Sequence, residues 1–255
     1  MGELMQSKRC ILIAGASSDI GLALIKQLSG CDWLIGAHCF TGEDRLRSFI
    51  ETLDYLPDQY EIFSGDLSSQ ASCHRLVDAC ASWAGGSINA LVQLTGNVSQ
   101  VCEWECLEEV AWQSDLAVNL SAPFFLAQRA FGYMKNAGGR ILLMSTASAS
   151  HGGGAQTFAY GIAKAGVECM AKGLAKVGAP SGILVNALAP GLIETRFHMD
   201  RLGRTSEMIK RRADMVPLKR AGRPEDVARM AEFLLSSGGD YITGEVIAIS
   251  GGDWL

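Results

Sequence analysis

Short apolar runs alternate with longer amphipathic segments along most of the chain. The apolar runs are rich in Ile, Leu and Val and do not alternate with polar residues, which is typical of strands covered by helices on both faces. This pattern predicts seven strands, at residues 10–14, 33–37, 60–63, 90–94, 140–144, 183–187 and 245–249. The amphipathic segments predict helices at 20–29, 43–53, 70–83, 107–134 (expected as two helices), 158–177 and 225–236.

The order of these elements indicates the fold class. Strand and helix alternate from the first strand onward, as in βαβ units with a parallel sheet. We therefore predict an α/β, doubly wound (Rossmann-type) fold with a seven-stranded parallel sheet and helices on both faces. No Pro/Ser-rich linker or charge block divides the 255 residues, so residues 1–255 are expected to form a single domain.

Composition and charge narrow the classes of function. Lys and Arg number 22 against 27 Asp and Glu, a net charge of −5, which disfavours nucleic-acid binding because cations must displace counterions from phosphate. No stretch approaches the ~20 apolar residues of a membrane span. The eight cysteines and four histidines lack the spacing of a zinc site, so reduced thiols and no metal are expected. We predict a soluble, cytoplasmic protein.

A glycine loop, residues 15–21, follows the first strand and opens the first helix. Glycines at such a turn let the backbone approach a pyrophosphate, whose charge is stabilised at the helix N-terminus. The loop predicts a dinucleotide site with contacts from Gly15, Ser17, Ser18, Asp19, Ile20 and Gly21. A plain strand-to-helix turn is the alternative. Asp19 stands where a middle glycine would be most comfortable, and its carboxylate would repel a pyrophosphate unless it points away.

The end of the second strand bears on the choice between NAD(H) and NADP(H). An Asp or Glu about 20 residues beyond the glycine loop would bind the ribose 2′-hydroxyl of NAD, but this position holds Gly36-Ala37-His38-Cys39. NADP(H) is therefore slightly favoured over NAD(H), with His38 as a cofactor contact. Residues 16–18 and 38–41 contain no Arg or Lys for the extra phosphate, and Arg45 and Arg47 are the nearest candidates. The choice stays open.

Tyr160 and Lys164 are four residues apart in a predicted helix, so both side chains lie on one helix face. A free phenol has a pKa near 10, and a neighbouring ammonium group favours its phenolate. Hydride transfer to a carbonyl builds negative charge on oxygen, which a nearby proton donor neutralises. The pair is therefore a candidate for acid–base catalysis at a carbonyl or secondary alcohol, with a chance pair at this spacing as the alternative.

With these motifs in context, nearly the whole chain resembles the short-chain dehydrogenase/reductase family, in its compact single-domain branch. The most similar members are the 3-oxoacyl-[acyl-carrier-protein] reductases. The resemblance is carried by the glycine loop, Gly65-Asp66-Leu67, Asn119, Gly139-Arg140-Ile141, the Tyr160/Lys164 pair, Pro190-Gly191, residues 222–227, Ile242-Thr243-Gly244 and Gly251-Gly252.

The resemblance implies roles for the catalytic positions. Tyr160 is the acid–base residue, and Lys164 lowers its pKa and hydrogen-bonds the nicotinamide ribose. Asn119 corresponds to the asparagine that holds a proton-relay water. Tyr160 and Lys164 thus also count as cofactor contacts, and the resemblance adds Asp66, Leu67, Gly96, Pro190, Gly191, Ile193 and Thr195.

The hydroxyl that orients the substrate oxygen is assigned to Thr146. Counting from Gly139 gives this residue, whereas counting back from Tyr160 gives Ala147, which has no hydroxyl. Ser145 and Ser148 are therefore alternatives. A second departure is Gln93-Leu94, where the family has an asparagine pair, so that an amide stabilising the central sheet is expected to be lost.

Residues 192–222 correspond to the family's mobile lid over the substrate, called here the lid segment. Nine basic residues lie between Arg196 and Arg223, and they predict attraction of an anionic substrate or of the NADP phosphate. A solvated helix face is the alternative. Because family members are commonly tetramers, a homotetramer, or a dimer, is expected.

We expect an NAD(P)-dependent oxidoreductase that transfers hydride between NAD(P)(H) and a carbonyl or secondary alcohol of a small substrate, with anionic and polyketide-like compounds among the options. Reduction of 3-oxoacyl carrier-protein thioesters is the second candidate. It ranks lower because Ala137 and Ser181 stand at the positions where the resembled enzymes have the arginines that dock the carrier protein. A catalytically weak, cofactor-binding homologue with an interaction role is a further alternative.

Overall fold

The computed structural model describes residues 8–253. Its strands are β1 (Arg9–Ala14), β2 (Trp33–Cys39), β3 (Tyr60–Ser64), β4 (Ala90–Gln93), β5 (Gly139–Met144), β6 (Ile183–Pro190) and β7 (Val246–Ile249). Its α-helices are α1 (Asp19–Gln27), α2 (Glu43–Ile50), α3 (Gln70–Trp83), α4 (Glu109–Leu116), α5 (Ala122–Met134), α6 (Phe158–Gly178), α7 (Arg196–Asp200), α8 (Ser206–Met215) and α9 (Pro224–Leu235).

The strands form one parallel sheet in the order β3-β2-β1-β4-β5-β6-β7. β1 pairs with β2 on one side and with β4 on the other, so the progress of the chain across the sheet reverses between them. In open sheets of this kind, ligands bind outside the carboxyl ends of the strands at the switch point. The predicted doubly wound, seven-stranded parallel fold is confirmed.

The sheet separates two apolar layers. Consecutive residues of β1 point to opposite layers: Ile11 packs with α1, α2 and α9, whereas Leu12 packs with α3, α5 and α6. Each strand is thus apolar on both faces, which explains the continuous Ile/Leu/Val runs in the sequence. Within residues 8–253, none of the helices combines the length and apolarity that a bilayer crossing requires.

The predicted elements are present with shifted ends, and two short helices were not predicted. The helix expected at 43–53 ends at Ile50, and β6 continues to Pro190, beyond its predicted end. Segment 107–134 divides into α4 and α5, with a π-helical turn at Ala117–Ser121 between them. The short helices α7 and α8, both in the lid segment, were not predicted, because their positions follow from the loop's contacts rather than from an apolar stripe.

Candidate active site

A cleft of about 1330 Å³ lies along the carboxyl edge of the sheet. Its wall includes residues that follow five different strands: Gly15 after β1, Phe40 after β2, Asp66 after β3, Thr95 after β4 and Thr146 after β5. Parallel strands end at one common edge, so residues far apart in the sequence meet here. The cleft therefore occupies the place that the topology predicts for a ligand.

The two glycines of the glycine loop have different tasks. Gly15 adopts a left-handed conformation (φ +86°), and a Cβ atom there would lie 3.0 Å from the backbone nitrogen of Thr95. Gly21 does not line the cleft; a Cβ atom there would lie 2.5 Å from the carbonyl oxygen of Ala16. Gly15 thus shapes the cleft wall, whereas the predicted contact of Gly21 with cofactor is replaced by close packing of the helix on the loop.

The start of α1 is a suitable anion site. Ser18 caps the helix, and its hydroxyl accepts from the backbone N–H of Gly21 at 3.1 Å. The N–H groups of Asp19 and Ile20 lie in the first turn, where no intrahelical carbonyl is available to them, and the helix dipole is positive there. Ser17, Ser18, Asp19 and Ile20 all line the cleft. These residues fit the pyrophosphate of a dinucleotide.

The Asp19 carboxylate is paired rather than free. Its Oδ1 atom accepts from Arg45 Nη2 at 2.6 Å, and its Oδ2 atom accepts from the backbone N–H of Arg196 at 2.7 Å. The Arg196 guanidinium is a further 3.6 Å neighbour. These contacts offset the charge that would repel a pyrophosphate. They also attach the first turn of the lid segment to the glycine loop.

Asp66, Leu67 and Arg45 also line the cleft. Arg45 Nη1 donates to the carbonyl oxygen of Ser17 at 2.8 Å, so its guanidinium lies against the glycine loop. The Asp66 carboxylate accepts from the backbone N–H and the hydroxyl of Ser68. Of the two basic candidates that the sequence offered, only Arg45 lines the cleft in the described part of the chain.

His38 does not line the cleft, which contradicts its predicted role as a cofactor contact. The residue is 2% exposed, its Nε2 atom lies 2.9 Å from the carbonyl oxygen of Gly65, and its Nδ1 atom lies 3.4 Å from the nitrogen of Gly15. Burial lowers the pKa of the imidazole, so the ring is neutral at pH 7. His38 supports the glycine loop from behind.

Tyr160 and Lys164 both line the cleft from α6. The Lys164 Nζ atom lies 5.5 Å from the centroid of the Tyr160 ring, and it donates to the carbonyl oxygens of Met144 (2.9 Å) and Thr95 (3.3 Å). Burial lowers the pKa of Lys164 to about 7. Burial also raises the pKa of the Tyr160 phenol, so the phenol keeps its proton unless a nearby positive charge stabilises the phenolate.

Asn119 lies in the π-helical turn and is fully buried. Its Oδ1 atom accepts from the backbone N–H of Asn97 at 3.0 Å, and its Nδ2 atom donates to the carbonyl oxygens of Asn97 (2.7 Å) and Asp115 (2.8 Å). π-Helical turns are frequent at functional sites. The side chain positions the loop after β4 and does not itself line the cleft.

The three candidate hydroxyls after β5 differ in orientation. Ser145 Oγ lies 2.7 Å from the Glu168 carboxylate and 3.2 Å from the carbonyl oxygen of Lys164, so its single proton is shared between these two acceptors, and the residue is 2% exposed. Thr146 Oγ1 and Ser148 Oγ lie 3.2 Å apart. All three residues line the cleft, but only the Ser145 hydroxyl is hydrogen-bonded to α6. The hydroxyl of Ser145 is therefore committed to α6, which leaves Thr146 and Ser148.

The amide expected to be missing after β4 is supplied by Gln93. This residue is fully buried, its Nε2 atom donates to the carbonyl oxygen of Thr95 at 3.0 Å, and its Oε1 atom accepts from the N–H of Met144 at 3.5 Å. The ends of β4 and β5 are thus linked, so the prediction of a lost stabilising amide is wrong.

The loop after β6 forms the remaining wall of the cleft. Its cleft-lining residues are Pro190, Gly191, Leu192, Ile193 and Thr195, and Gly96 lines the cleft from the loop after β4. Ile193 pairs with Gly222 in an isolated parallel bridge. The lid segment therefore leaves and rejoins the sheet edge at one place, and its helices lie over the cleft between these two ends.

Several lid residues in the cleft wall were not singled out from the sequence. Phe197 of α7 packs its ring on Tyr160, with the ring centroids 5.8 Å apart. His198, Arg201 and Arg204 line the cleft beyond it. The basic composition of the segment was the available signal, but which side chains turn inward depends on the turn between α7 and α8.

Comparisons with known proteins agree with this arrangement. A family model described as "Enoyl-(Acyl carrier protein) reductase" matches residues 15–253. The chain is 30% identical over 255 residues to a probable 2,4-dienoyl-CoA reductase of Bacillus subtilis, covering 97% of each chain. It is 32% identical over 251 residues to the 3-oxoacyl-[acyl-carrier-protein] reductase FabG of Thermotoga maritima, covering 97% of this chain and 98% of the relative.

Solved structures show the same fold. A short-chain type dehydrogenase/reductase from Mycobacterium ulcerans superposes with a TM-score of 0.86 at 26% identity, covering 96% of this chain and 90% of that one. The sequence and the fold therefore both agree with known proteins over almost the whole chain. The chain therefore belongs to the short-chain dehydrogenase/reductase family of oxidoreductases.

Proposed function

We propose that this protein is an NAD(P)-dependent oxidoreductase that transfers hydride between the nicotinamide and a carbonyl or secondary alcohol of a small substrate. The observation that carries the proposal is that Tyr160 and Lys164 open into the same cleft as the glycine loop. When bound, the dinucleotide supplies or accepts the hydride. The protein's task is to hold the substrate oxygen and to exchange its proton.

Tyr160 is the proposed acid–base residue. Its partly buried phenol is protonated at neutral pH because desolvation raises the pKa, so in the direction of reduction it donates its proton to the oxygen on which negative charge develops. That donation leaves a phenolate, which the cationic form of Lys164 stabilises. In the direction of oxidation the phenolate accepts the proton of the substrate hydroxyl and becomes the neutral phenol again. The pKa of Lys164 near 7 means that added negative charge in the cleft shifts it toward the cation.

Thr146 is the proposed group that orients the substrate oxygen. Its hydroxyl lies within 3.4 Å of the carbonyl oxygen of Pro190 and 3.2 Å from Ser148 Oγ. A hydroxyl that donates to the substrate carbonyl both positions it and stabilises the developing charge. Asn119 is proposed to keep the loop after β4 in place through its two contacts with Asn97, and its part in a proton relay remains a prediction.

For the cofactor, NADP(H) is proposed with a slight preference over NAD(H). No acidic side chain stands at the end of β2 to bind a ribose 2′-hydroxyl. Arg45 lines the cleft. Its guanidinium is shared with Asp19, which weakens its pull on a 2′-phosphate and keeps the preference small.

For the substrate, acyl thioesters are the second candidate. The relatives include proteins named as 2,4-dienoyl-CoA, acetoacetyl-CoA and 3-oxoacyl-[acyl-carrier-protein] reductases. A small ketone that is not attached to a carrier is preferred, because Ala137 and Ser181 occupy the positions where the resembled carrier-protein reductases have arginines.

A homotetramer, or a dimer, is proposed for the assembly. The helices around the π-helical turn and α6 expose large apolar side chains, among them Phe124, Phe158 and Ile162. Sedimentation at micromolar concentration is expected to show a species heavier than one 27.2 kDa chain, and a single species of that mass contradicts the assembly.

The test of the proposed function is oxidation of NADPH or NADH by purified protein with a panel of ketones and 3-oxoacyl thioesters. Tyr160→Phe is expected to abolish turnover and to leave nucleotide affinity nearly unchanged, because only the hydroxyl is removed. Equal turnover by Tyr160→Phe and the parent removes Tyr160 from the mechanism. Nucleotide binding without turnover of any compound instead favours the catalytically weak homologue.

A further inference from the structure

Helix α7 crosses the cleft and connects its two halves. The backbone N–H of Arg196, its first residue, donates to Asp19 on the nucleotide side. The ring of Phe197, its second residue, packs on the ring of Tyr160. His198, the third, contacts Arg204. Through His198, α7 thus brings Arg204 into the same cleft as Asp19 and Tyr160.

The turn after α7 directs Arg204 back toward this helix. Gly203 adopts a left-handed conformation (φ +60°), and the backbone N–H of Arg204 donates to the carbonyl oxygen of His198 at 3.0 Å. The Arg204 Nη1 atom lies 3.5 Å from His198 Nδ1. Both side chains are partly buried and both line the cleft. The pair is therefore held by backbone as well as side-chain contacts.

Arg204 lacks a counter-ion among residues 8–253. Every ion pair within 4.0 Å in this part of the chain involves other arginines, including Arg196 with Asp19 and Arg212 with Asp253. Asp200 lines the same part of the cleft but is exposed and makes no ion pair with Arg204. Burial and the charge of Arg212 lower the pKa of Arg204. A partly buried guanidinium gains most from an anion that enters its cleft.

His198 complements this guanidinium. Burial and the charge of Arg204 lower its pKa to about 4, so the ring is neutral at pH 7. An arginine can only donate hydrogen bonds, so Nδ1 is the accepting nitrogen and Nε2 carries the proton. The two side chains together offer N–H donors and one positive charge, which is the chemistry that binds a carboxylate or a phosphate.

We infer that Arg204 and His198 form a subsite for an anionic group of the substrate, a carboxylate or a phosphate. The inference rests on the proposed function, because it names the substrate class of the same cleft. It also gives the basic lid segment a specific role: the anion pairs with Arg204 and so brings α7, with Phe197, down on the substrate.

The test uses matched probes that differ in charge. They are 5-oxohexanoate with its methyl ester, and dihydroxyacetone phosphate with dihydroxyacetone. For each probe, kcat/KM is measured for the parent, Arg204→Gln and Arg211→Gln. Arg211 is the control, because it also lies in the lid segment but is exposed, pairs with Glu207 and does not line the cleft. Calorimetry with nucleotide-saturated protein measures binding of the same four probes without requiring turnover.

The parent is expected to prefer the charged member of at least one pair. Arg204→Gln is expected to lower kcat/KM for that member by roughly 30-fold or more, the size typical of truncating one partner of a close charge pair, and to change the neutral member less than about threefold. Arg211→Gln should leave both unchanged. The pair that responds identifies carboxylate or phosphate as the anion. Should Arg204→Gln fail to fold by thermal melting, Arg204→Lys, which keeps the charge but not the planar fork, is measured instead, with a smaller loss confined to the charged probes expected.

The remaining outcomes separate the two proposals. Equal losses on charged and neutral probes, or no preference by the parent, overturn the subsite. Absence of turnover together with binding of a charged probe that depends on Arg204 supports the subsite and counts against the proposed reduction of these carbonyls. Absence of both turnover and binding overturns the subsite.

Discussion

Replacing Lys164 by Met removes a buried positive charge and keeps a side chain of similar length. Lys164 is 1% exposed, and its ammonium group makes hydrogen bonds to two carbonyl oxygens but no ion pair among residues 8–253. Burial lowers its pKa from 10.5 to about 7. The charged form of Lys164 therefore destabilises the folded, nucleotide-free protein relative to the unfolded chain, in which the group is solvated.

The size of the effect follows from the shift in pKa. One unit corresponds to ~1.4 kcal/mol, so at pH 7 the penalty on the folded state is about 4 kcal/mol. In the variant the two carbonyl oxygens lose their hydrogen-bond donor, which lowers the free energy of unfolding by about 1–3 kcal/mol. Lys164→Met is thus expected to raise the free energy of unfolding by about 1–3 kcal/mol at pH 7. It is expected to lower turnover at least ~100-fold, because Tyr160 loses the cation that stabilises its phenolate.

The pH dependence has a definite sign. Because the folded-state pKa lies below the unfolded one, the unfolded chain binds more protons between about pH 7 and 10.5, and the parent's stability from this group rises with pH across that window. The difference in free energy of unfolding between Lys164→Met and the parent should therefore decrease by about 2 kcal/mol between pH 7 and pH 9.

Urea unfolding of nucleotide-free protein at pH 7 and pH 9, at one fixed protein concentration, measures these differences. Lys172→Met is the matched control, since it lies exposed on the same helix α6 and should change stability by less than about 0.5 kcal/mol. A variant that is less stable than the parent at pH 7, or a stability difference that does not depend on pH, would show that the buried ammonium group does not destabilise the folded protein.

Two further predictions concern the glycine loop and the sheet. Asp19→Asn removes a negative charge beside the proposed pyrophosphate position, so we expect calorimetry to show nucleotide binding a few-fold more tightly. We also expect trypsin to cleave faster at Arg196, because the contact of its backbone with the Asp19 carboxylate is weakened. Weaker nucleotide binding would instead show that Asp19 serves the site by holding Arg45. Gly36→Ala places a Cβ atom 2.4 Å from Cys80 Sγ, so we expect chemical denaturation to show a free energy of unfolding lower by about 1–3 kcal/mol. The loss should be smaller when Cys80→Ala is added. Equal losses in the single and combined variants would show that the strain arises from another contact.

The sequence predicts those site residues whose role follows from their position in a local backbone element. Gly15 and Ser18 act at a strand-to-helix turn that the local pattern identifies. Tyr160 and Lys164 share a face because the helical repeat places them there. The topological switch point then brings the turn and the helix to one edge, since parallel strands end together.

The sequence misleads where the direction of a side chain is decided by distant parts of the chain. His38 is the last residue but one of β2, beside the predicted cofactor site, but its ring is hydrogen-bonded to the carbonyl oxygen of Gly65 and lies behind the loop. Ser145 directly precedes Thr146, yet its hydroxyl is hydrogen-bonded to Glu168 on α6.

The sequence alone therefore determined the sheet, its helical layers, the glycine loop and the Tyr160/Lys164 pair, because hydrophobic periodicity and turn chemistry are local properties of the chain. The tertiary structure alone decided that Asp19 pairs with Arg45 and with the start of α7, 177 positions away. It also decided that Arg204 turns into the cleft, and that, of three neighbouring hydroxyls, the Ser145 hydroxyl is hydrogen-bonded to α6. Such contacts depend on which side chains the packed strands and helices bring within hydrogen-bond distance, and no repeat in the sequence encodes that.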